Sequence, residues 1–312
     1  MRKFINVFSK KRTMHFEHTS SGGGWFFDVE KKLQSAKTQW QKIDVVKTKE
    51  FGKALLLDGI TQLTEAQEYQ YHEPMAHVPL LAHKNPKKAL VIGGGDGALA
   101  QEILRHPSIE SLDFVELDEG VINFCKKHLP ELGGDAFNDE RVKLHIQDGR
   151  AFVENAEKEG KTYDAIFMDM TDPEGPCIAL YTKEFFEIVS SLLKDDEAFF
   201  IMHAESPDLR LKTFQRIMHT LKAVFPSVQE MVSHVRMYGG MWTWAIASKG
   251  FNPKNFDAKK IPAVIEKRGL KNLKIISSET WESFFRLWPV YKAVLDEEGE
   301  IATDANPGYA ME

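Results

Sequence analysis

The stretch Val91-Ile92-Gly93-Gly94-Gly95-Asp96-Gly97 is the most informative part of the sequence for the fold. It ends a short apolar run, and a helical pattern from Ala98 to Arg105 follows it. Glycine lets a backbone approach a ligand closely and leaves N–H groups free to bind it. A glycine-rich turn between a strand and a helix is typical of nucleotide-binding α/β sheets.

The chain after Lys87 repeats the order strand, turn, helix. We predict strands at 89–92, 112–117, 142–146, 164–168 and 198–203, and helices at 98–105, 121–128, 151–158, 183–193 and 209–224. This alternation indicates an α/β fold with a parallel sheet that helices cover on both faces. A hairpin of 228–235 and 242–247 closes the sheet, and a helix, a short strand, a second helix and a polar tail complete the prediction.

The chain before this region has a different pattern. Short β-rich runs separated by charged or glycine-containing turns extend from Trp25 to Glu68, which predicts a small antiparallel β domain. The first residues are basic, and the glycines that end at Gly24 indicate a hinge. The predicted parts are therefore a basic arm and hinge at 1–24, a β domain at 25–75, and an α/β domain with C-terminal helices at 76–312. The arm lacks the apolar core of a secretory signal, and a transit peptide is the alternative.

Composition restricts the class of protein. Hydrophobic residues make up 43% and charged residues 28% of the sequence, which excludes disorder. No run approaches the roughly 18 apolar residues of a membrane span. We therefore expect no membrane partner. The net charge of −6 argues against nucleic acid as a partner as well. The two cysteines, Cys125 and Cys177, are too few for a disulfide framework, which predicts a cytoplasmic protein.

Acidic residues follow the ends of the predicted strands. Glu116 lies 20 residues after Asp96, where a carboxylate in such a sheet accepts hydrogen bonds from ribose hydroxyls. Asp96 would repel a pyrophosphate at the start of the helix, so the pattern favours a nucleoside without phosphates, a methionine-derived sulfonium. Asp148 and Gly149 end the third strand, the usual place for contacts to adenine. Asp148 could equally cap the next helix.

Two further acids follow the fourth strand, in Met168-Asp169-Met170-Thr171-Asp172-Pro173-Glu174-Gly175-Pro176. Asp169 and Asp172 therefore project into the same crevice as Asp96, beyond the carboxyl ends of the strands. Three carboxylates in one cleft cost energy unless a cation is bound, and a polycationic substrate would supply it. Without His or Cys at ligand spacing these carboxylates would hold magnesium or calcium only weakly, so we predict no metal site.

These motifs resemble the polyamine aminopropyltransferase family, which includes spermidine, spermine and thermospermine synthases. The resemblance extends from about Gln41 to Lys249. It is carried by residues 57–65, 71–73, 93–97, 116–118, 148–149, 169–176 and 180–182. It implies an N-terminal β domain before a Rossmann-like, methyltransferase-type sheet, and transfer of an aminopropyl group from decarboxylated S-adenosylmethionine to an amine. It further implies a co-substrate in place of a tightly bound cofactor, release of methylthioadenosine, and a homodimer or homotetramer.

The resemblance also implies roles for individual residues. The donor would be bound by Gln41, His72, Gly93, Gly95, Asp96, Glu116, Asp148, Gly149, Asp169 and Pro176. The acceptor would be bound by Tyr71, Asp169, Asp172 and Tyr238. Asp169 would be the catalytic acid–base residue, and the chemistry independently requires such a group. An alkyl amine with a pKa near ~10 is protonated at neutral pH, so a carboxylate must take its proton before the nitrogen can attack.

Some residues depart from the family pattern. Arg236 stands where spermidine synthases commonly have proline, and His203 where the family often has glutamine. A guanidinium in the acceptor pocket would oppose a polyamine by about 3 kcal/mol at a separation near 5 Å and an effective dielectric near 20. Either Arg236 points away, or the acceptor or donor carries a carboxylate. Putrescine is the first choice of acceptor on family frequency, and spermidine, agmatine and a carboxylated amine are the alternatives.

Two other functions fit the same fold. A methyltransferase would share the sheet, the glycine loop and Glu116. However, Asp96 would then face the carboxylate of S-adenosylmethionine, which the decarboxylated donor lacks. A non-enzymatic sensor of polyamine or nucleoside would not require the carboxylate of Asp169.

Overall fold

The computed structural model describes residues 13–20, 23–173 and 175–309. The N-terminal part is a five-stranded antiparallel sheet in which each strand pairs with the next along the chain. Its strands are β1 (Thr13–Ser20), β2 (Gly23–Lys37), β3 (Lys42–Thr48), β4 (Lys53–Leu57) and β5 (Ile60–Thr64). The predicted antiparallel β domain is therefore present, with one strand more at its N-terminal end.

The predicted boundary at residue 24 is wrong. Residues 13–20 form β1 and pair with β2 over their whole length, so they are the first strand of the sheet and not an arm joined by a hinge. The basic residues that suggested an arm lie mostly at 1–12, outside the described residues. The boundary at residue 75 is displaced as well, because it falls inside one continuous helix, α1 (Tyr69–Ala82).

The second sheet has seven strands in the order β11-β12-β10-β9-β6-β7-β8. Its strands are β6 (Lys88–Gly93), β7 (Ser111–Glu116), β8 (Val142–Ile146), β9 (Ala165–Asp169), β10 (Phe199–His203), β11 (Ser227–Val235) and β12 (Gly240–Ser248). The first five are parallel to one another, and the β11–β12 hairpin adds to β10 in antiparallel orientation. The predicted α/β class is confirmed.

Helices cover both faces of this sheet. They are α2 (Ala98–Leu104), α3 (Glu119–His128), α4 (Gly149–Lys158), α5 (Lys183–Ser191) and α6 (Leu211–Lys222), with α7 (Ile261–Lys267) and α8 (Pro289–Val294) near the C-terminus. Side chains of β9 alternate between two cores, since Phe167 packs with α1 and α2 on one face and Met168 packs with α5 and α6 on the other. Among the residues described, no helix combines the length and apolar character of a bilayer span.

The short strand predicted in the C-terminal region is not formed by the described residues. In that region the backbone N–H groups of Lys274 and Ile275 donate to the carboxylate of Glu73 on α1, at 2.9 to 3.0 Å. A side chain thus satisfies the donors that a strand partner would otherwise use. The segment is held against α1 without joining a sheet.

The order of strands determines where a ligand can bind. From β6 the chain proceeds to β7 and β8 on one side, and β9 then returns to pair with β6 on the other side. Open α/β sheets bind ligands outside the carboxyl ends of the strands at such a switch point. The register pairs Gly93 with Asp169, so the glycine loop and the fourth-strand acids meet there.

Candidate active site

A cavity of about 370 Å³ lies at this switch point, between the two sheets. Most of the predicted site residues line it, namely Gln41, Tyr71, His72, Gly93, Gly95, Asp96, Glu116, Asp169, Asp172 and Tyr238. Residues of β1, β4 and β5 and of the connection between β2 and β3 close one side of the cavity, and the strand ends of the second sheet form the other. Both domains therefore build the site.

The glycine loop brings backbone close to the neighbouring strand. Gly93 has a φ of 83°, in the left-handed region, and a Cβ at this position would lie 2.3 Å from the carbonyl oxygen of Asp169. Only glycine fits such a position. At Gly95, a Cβ would lie 2.9 Å from Oε2 of Glu116, so the loop backbone and this carboxylate are in contact.

Glu116 ends β7 and accepts a hydrogen bond from the backbone N–H of Asp118 at 2.8 Å. Burial raises the pKa of Glu116 to about 7. Asp118 in turn accepts from Thr38 Oγ1 at 2.7 Å and from Gln41 Nε2 at 3.1 Å. Gln41, on the connection between β2 and β3, is thereby oriented by a residue of the other domain. Asp118 lines the cavity and was not among the predicted site residues.

A second charged group lies where α1 meets the glycine loop. His72 Nδ1 is 3.2 Å from Oε2 of Glu68. Burial disfavours the imidazolium, but the hydrogen bond to Glu68 and the charge of Asp96 outweigh burial and raise the pKa of His72 to about 9. Burial raises the pKa of Asp96 to about 7 against the opposing charge of His72. His72 and Asp96 therefore form a buried pair in which each charge favours the charged form of the other residue.

Asp169 is positioned by Tyr71, whose hydroxyl donates to Oδ1 of Asp169 at 2.9 Å. Burial and the nearby carboxylate raise the pKa of Tyr71, which keeps its proton on the hydroxyl. Tyr238 packs edge-on against Tyr71 at 5.5 Å between ring centroids, and its hydroxyl donates to the carbonyl oxygen of Gln62 at 2.6 Å. Trp242 lies 4.8 Å from the Tyr238 ring. These aromatic rings form an apolar wall beside one carboxylate, as an aliphatic amine requires.

Arg236 points away from the cavity. Its side chain is half exposed, forms an ion pair with Glu50, and lies 5.2 Å from the ring centroid of Phe51. It is not among the described residues that line the cavity. Of the two explanations that the sequence left open, the structure supports the first.

A different arginine lines the cavity. Nη1 of Arg210 is 2.9 Å from Oδ2 of Asp172 and 3.7 Å from Oε1 of Glu205. Sequence reasoning missed Arg210 because it falls within the predicted helix 209–224, where an arginine reads as solvent-exposed. In the structure it immediately precedes α6, and its backbone N–H donates to the carbonyl oxygen of Ser206 in a tight turn.

Glu205 was missed as well. Its side chain is only 1% exposed, and burial, followed by the charge of Asp172, raises the pKa of its carboxyl group well above the usual range. Its φ of 70° is unusual for a residue with a side chain and indicates backbone strain of the kind concentrated at functional sites. The available signal was His203-x-Glu205, which begins at the last residue of β10 and so lies at the same strand edge as Asp169.

Three predicted residues are not found on the cavity lining. The Asp148 side chain accepts the Ala151 N–H at 2.8 Å and caps α4, in agreement with the alternative interpretation of this residue. A Cβ on Gly149 would lie 2.7 Å from Cγ2 of Ile92, so close packing explains this glycine. The side chain of Pro176 lies outside the described part of the structure.

His203 does line the cavity, and the Tyr181 hydroxyl contacts its Nε2 at 2.8 Å.

Two family models match the chain. The spermine/spermidine synthase domain matches residues 68–259, and the spermidine synthase tetramerisation domain matches residues 14–65. The second match begins inside β1 and ends just after β5, so it covers the N-terminal sheet.

Curated relatives agree with these matches. The chain is 36% identical over 290 residues to the polyamine aminopropyltransferase of Nitrosomonas europaea, which covers 93% of this chain and 88% of the relative. It is 38% identical over 295 residues to polyamine aminopropyltransferase 2 of Hyperthermus butylicus, covering 94% and 95%.

Solved structures lead to the same conclusion. A spermidine synthase in complex with the transition-state analogue AdoDATO superposes with a TM-score of 0.84 at 34% identity, covering 92% of this chain and 96% of that one. The spermidine synthase of Thermotoga maritima superposes with a TM-score of 0.83 at 33% identity, covering 92% and 95%. With these matches and the cavity at its switch point, the chain belongs to the spermine/spermidine synthase family and is a polyamine aminopropyltransferase.

Proposed function

We propose that this enzyme transfers the aminopropyl group of decarboxylated S-adenosylmethionine to putrescine, forming spermidine and methylthioadenosine. The observation that carries the proposal is the pair Tyr71–Asp169, a carboxylate held by a buried hydroxyl at the wall of a cavity with an aromatic lining. No tightly bound cofactor is needed, because the sulfonium of the donor already activates the leaving group.

The donor half of the site suits a nucleoside with a cationic tail. Glu116 and Gln41 would hold the ribose hydroxyls, and the glycine loop at Gly93 and Gly95 lets the donor approach the sheet. His72, Asp96 and Asp169 would bind the aminopropyl end. Asp148, Gly149 and Pro176 are not found on the cavity lining, and they stay in the proposal as contacts at its edge, on the adenine side. A carboxylate at Asp96 favours the decarboxylated donor over S-adenosylmethionine, whose own carboxylate it would repel.

The reaction requires one proton transfer and one substitution. Asp169 takes a proton from the acceptor ammonium, and the free nitrogen attacks the aminopropyl carbon attached to sulfur. The C–N bond forms as the C–S bond breaks, and the bonding pair returns to sulfur, which leaves as neutral methylthioadenosine. Most of the remaining acceleration comes from holding nitrogen, carbon and sulfur in line.

The acceptor would lie among Tyr71, Asp172 and Tyr238. Arg236 lies outside the cavity, so the reason to expect a carboxylated acceptor on account of that residue no longer applies. Putrescine therefore remains the first choice, with spermidine, agmatine and a carboxylated amine as the alternatives.

We also propose a cytoplasmic homo-oligomer, a dimer or a tetramer. The match of the N-terminal sheet to a tetramerisation domain supports assembly through this sheet. Phe16 and Phe26 are paired across β1 and β2 with 62% and 53% of their surfaces exposed, as expected of an interface seen in one subunit.

The test is an incubation of purified protein with decarboxylated S-adenosylmethionine and, separately, with putrescine, spermidine, agmatine and a carboxylated polyamine. We expect methylthioadenosine release that depends on the amine and is fastest with putrescine. Consumption of S-adenosylmethionine with release of S-adenosylhomocysteine would indicate a methyltransferase. Binding of donor and amine without any product would indicate a sensor.

A further inference from the structure

Asp172, which the sequence suggests as an anchor for the acceptor, is already paired with a cation. Its Oδ2 is 2.9 Å from Nη1 of Arg210, and both side chains line the cavity. The Arg210 side chain is 14% exposed, so the guanidinium belongs to the site and not to the outer surface. A charge-assisted contact of this length is stronger than a neutral hydrogen bond.

The backbone around Arg210 keeps this charge in place. Its N–H donates to the carbonyl oxygen of Ser206 at 2.8 Å, and its own carbonyl accepts from Phe214 in the first turn of α6. Phe214 is fully buried in the core behind the sheet. The arginine therefore ends a fixed turn between β10 and α6, which begins at Ser206, next to the strained residue Glu205.

Among the described residues at this end of the cavity, Asp172 and Arg210 form a pair of opposite charges. Asp172 contributes one negative charge and Arg210 one positive charge, and the buried carboxyl group of Glu205 holds its proton more tightly than an exposed one. A carboxylate without a cationic partner would attract each ammonium of a polyamine more strongly than this pair does. This end of the cavity thus offers little attraction to additional positive charge.

The number of charges on the acceptor at the moment of attack decides between substrates. The attacking nitrogen is neutral, so putrescine keeps one ammonium and spermidine keeps two. Each ammonium that approaches Arg210 is repelled by its guanidinium, and the guanidinium also occupies volume that a longer chain would need. A second retained ammonium therefore binds less favourably than the first.

We propose that Arg210 is a specificity-determining residue that restricts the acceptor to a diamine and excludes longer, more highly charged polyamines. This inference rests on the proposed aminopropyl transfer. Arg236, the arginine that departs visibly from the family pattern, takes no part in it.

The experiment compares kcat/KM for putrescine and spermidine in the wild type and in Arg210→Ala, Arg210→Met and Arg236→Met. Release of methylthioadenosine is the readout, and thermal melting confirms folding. We expect the ratio of spermidine to putrescine kcat/KM to rise at least ~10-fold in Arg210→Ala, because both charge and volume are removed. Arg210→Met keeps most of the volume without the charge, and we expect it to show a smaller rise. Arg236→Met is the matched control and should leave the ratio unchanged.

Several outcomes would overturn the inference. One is an unchanged ratio in folded, active Arg210 variants, and another is a wild type that prefers spermidine. A wild type that uses only a carboxylated amine, and loses it in Arg210→Met, would show that the guanidinium binds a substrate carboxylate. If Arg210→Ala does not fold, Arg210→Met decides. Absence of methylthioadenosine with every amine in the wild type would instead refute the proposed function, so the two failures are distinguishable.

Discussion

Tyr71 and Asp169 are the residues on which the proposed chemistry depends most directly. The Tyr71 hydroxyl occupies one oxygen of the Asp169 carboxylate. The other oxygen can then face the acceptor. A carboxylate fixed in this way accepts a proton without first having to reorient, which is the arrangement that general base catalysis requires.

We expect Asp169→Asn to lower kcat by at least ~100-fold, because an amide keeps the shape of the side chain but cannot accept a proton. Steady-state release of methylthioadenosine at saturating donor and acceptor measures this effect. Calorimetric binding of methylthioadenosine, which lacks the aminopropyl end that Asp169 would hold, is the control for a preserved site. Retained kcat with a raised acceptor KM would show that Asp169 binds the amine without acting as the base.

The buried carboxyl groups of Asp96 and Glu116 give the enzyme a dependence on pH. Burial raises the pKa of each to about 7, so below this pH both carry protons in the free enzyme. A protonated Asp96 cannot balance the ammonium of the donor. We therefore expect kcat/KM for the donor to increase as the pH rises from 6 to 8, with an apparent pKa near 7.

Asp96→Asn provides the control for this pH profile. Its maximal kcat/KM should be lower, and its acidic limb should be less steep, because only the ionisation of Glu116 remains. A limb of unchanged steepness in Asp96→Asn would show that Asp96 does not need to ionise for the donor to bind.

At the scale of secondary-structure elements, the loop that connects β6 to α2 contacts the end of β7 through its glycine backbone. A methyl group at position 95 would lie 2.9 Å from Oε2 of Glu116 and would displace this carboxylate. We expect Gly95→Ala to weaken donor binding by ~10-fold, about the value of one hydrogen bond to a charged group, while the fold remains intact. Calorimetric titration with methylthioadenosine measures the change.

Gly250→Ala is the matched control for this substitution. Its Cβ would come no closer than 3.4 Å to the neighbouring Asp196, remote from the cavity. Donor affinity should be unaffected there. Equal losses in the two variants would mean that the effect at Gly95 arises from general destabilisation of the fold.

Elements with a strong local pattern are predictable from the sequence, and β8 has the predicted bounds of Val142–Ile146. β1 was missed because its residues are mostly polar, as in many edge strands. The short strand predicted in the C-terminal region is not formed, and the backbone N–H groups of Lys274 and Ile275 there donate to Glu73, which is about 200 positions earlier in the chain. The position of the Arg210 side chain on the cavity lining also depends on tertiary packing, which no local sequence pattern encodes.

At the scale of the whole molecule, the two sheets are joined at the site itself. Gln41 donates to Asp118 and the Tyr238 hydroxyl donates to Gln62, so each domain provides a hydrogen-bond partner for a cavity residue of the other. The resemblance to a family implied site residues in both predicted domains, such as Gln41 and Glu116. It could not provide these cross-domain hydrogen bonds, because they depend on how the two sheets pack.

The outer face of the N-terminal sheet carries the surface proposed for assembly. Phe16 and Phe26 lie opposite each other with ring centroids 5.8 Å apart. We expect Phe16→Asp to reduce the oligomeric mass by at least half, because a charge would be buried in an apolar contact. Size-exclusion chromatography with light scattering measures the mass.

Trp288 is a suitable control for this substitution, since it is an aromatic residue with 56% of its surface exposed but lies next to α8, away from the N-terminal sheet. Trp288→Asp should retain the wild-type mass. If Trp288→Asp dissociates and Phe16→Asp does not, the subunits associate through the C-terminal region.

Glu205 also has a consequence for how the enzyme would respond to laboratory evolution. Its left-handed backbone, with a φ of 70°, and its buried carboxyl group both destabilise the folded chain. Glycine at this position would relieve the backbone strain, which costs of order 1–3 kcal/mol. A library screened for heat resistance alone should therefore accumulate Glu205→Gly, with a higher melting temperature and a lower kcat/KM for the acceptor. A library screened for polyamine output in growing cells should keep glutamate at this position.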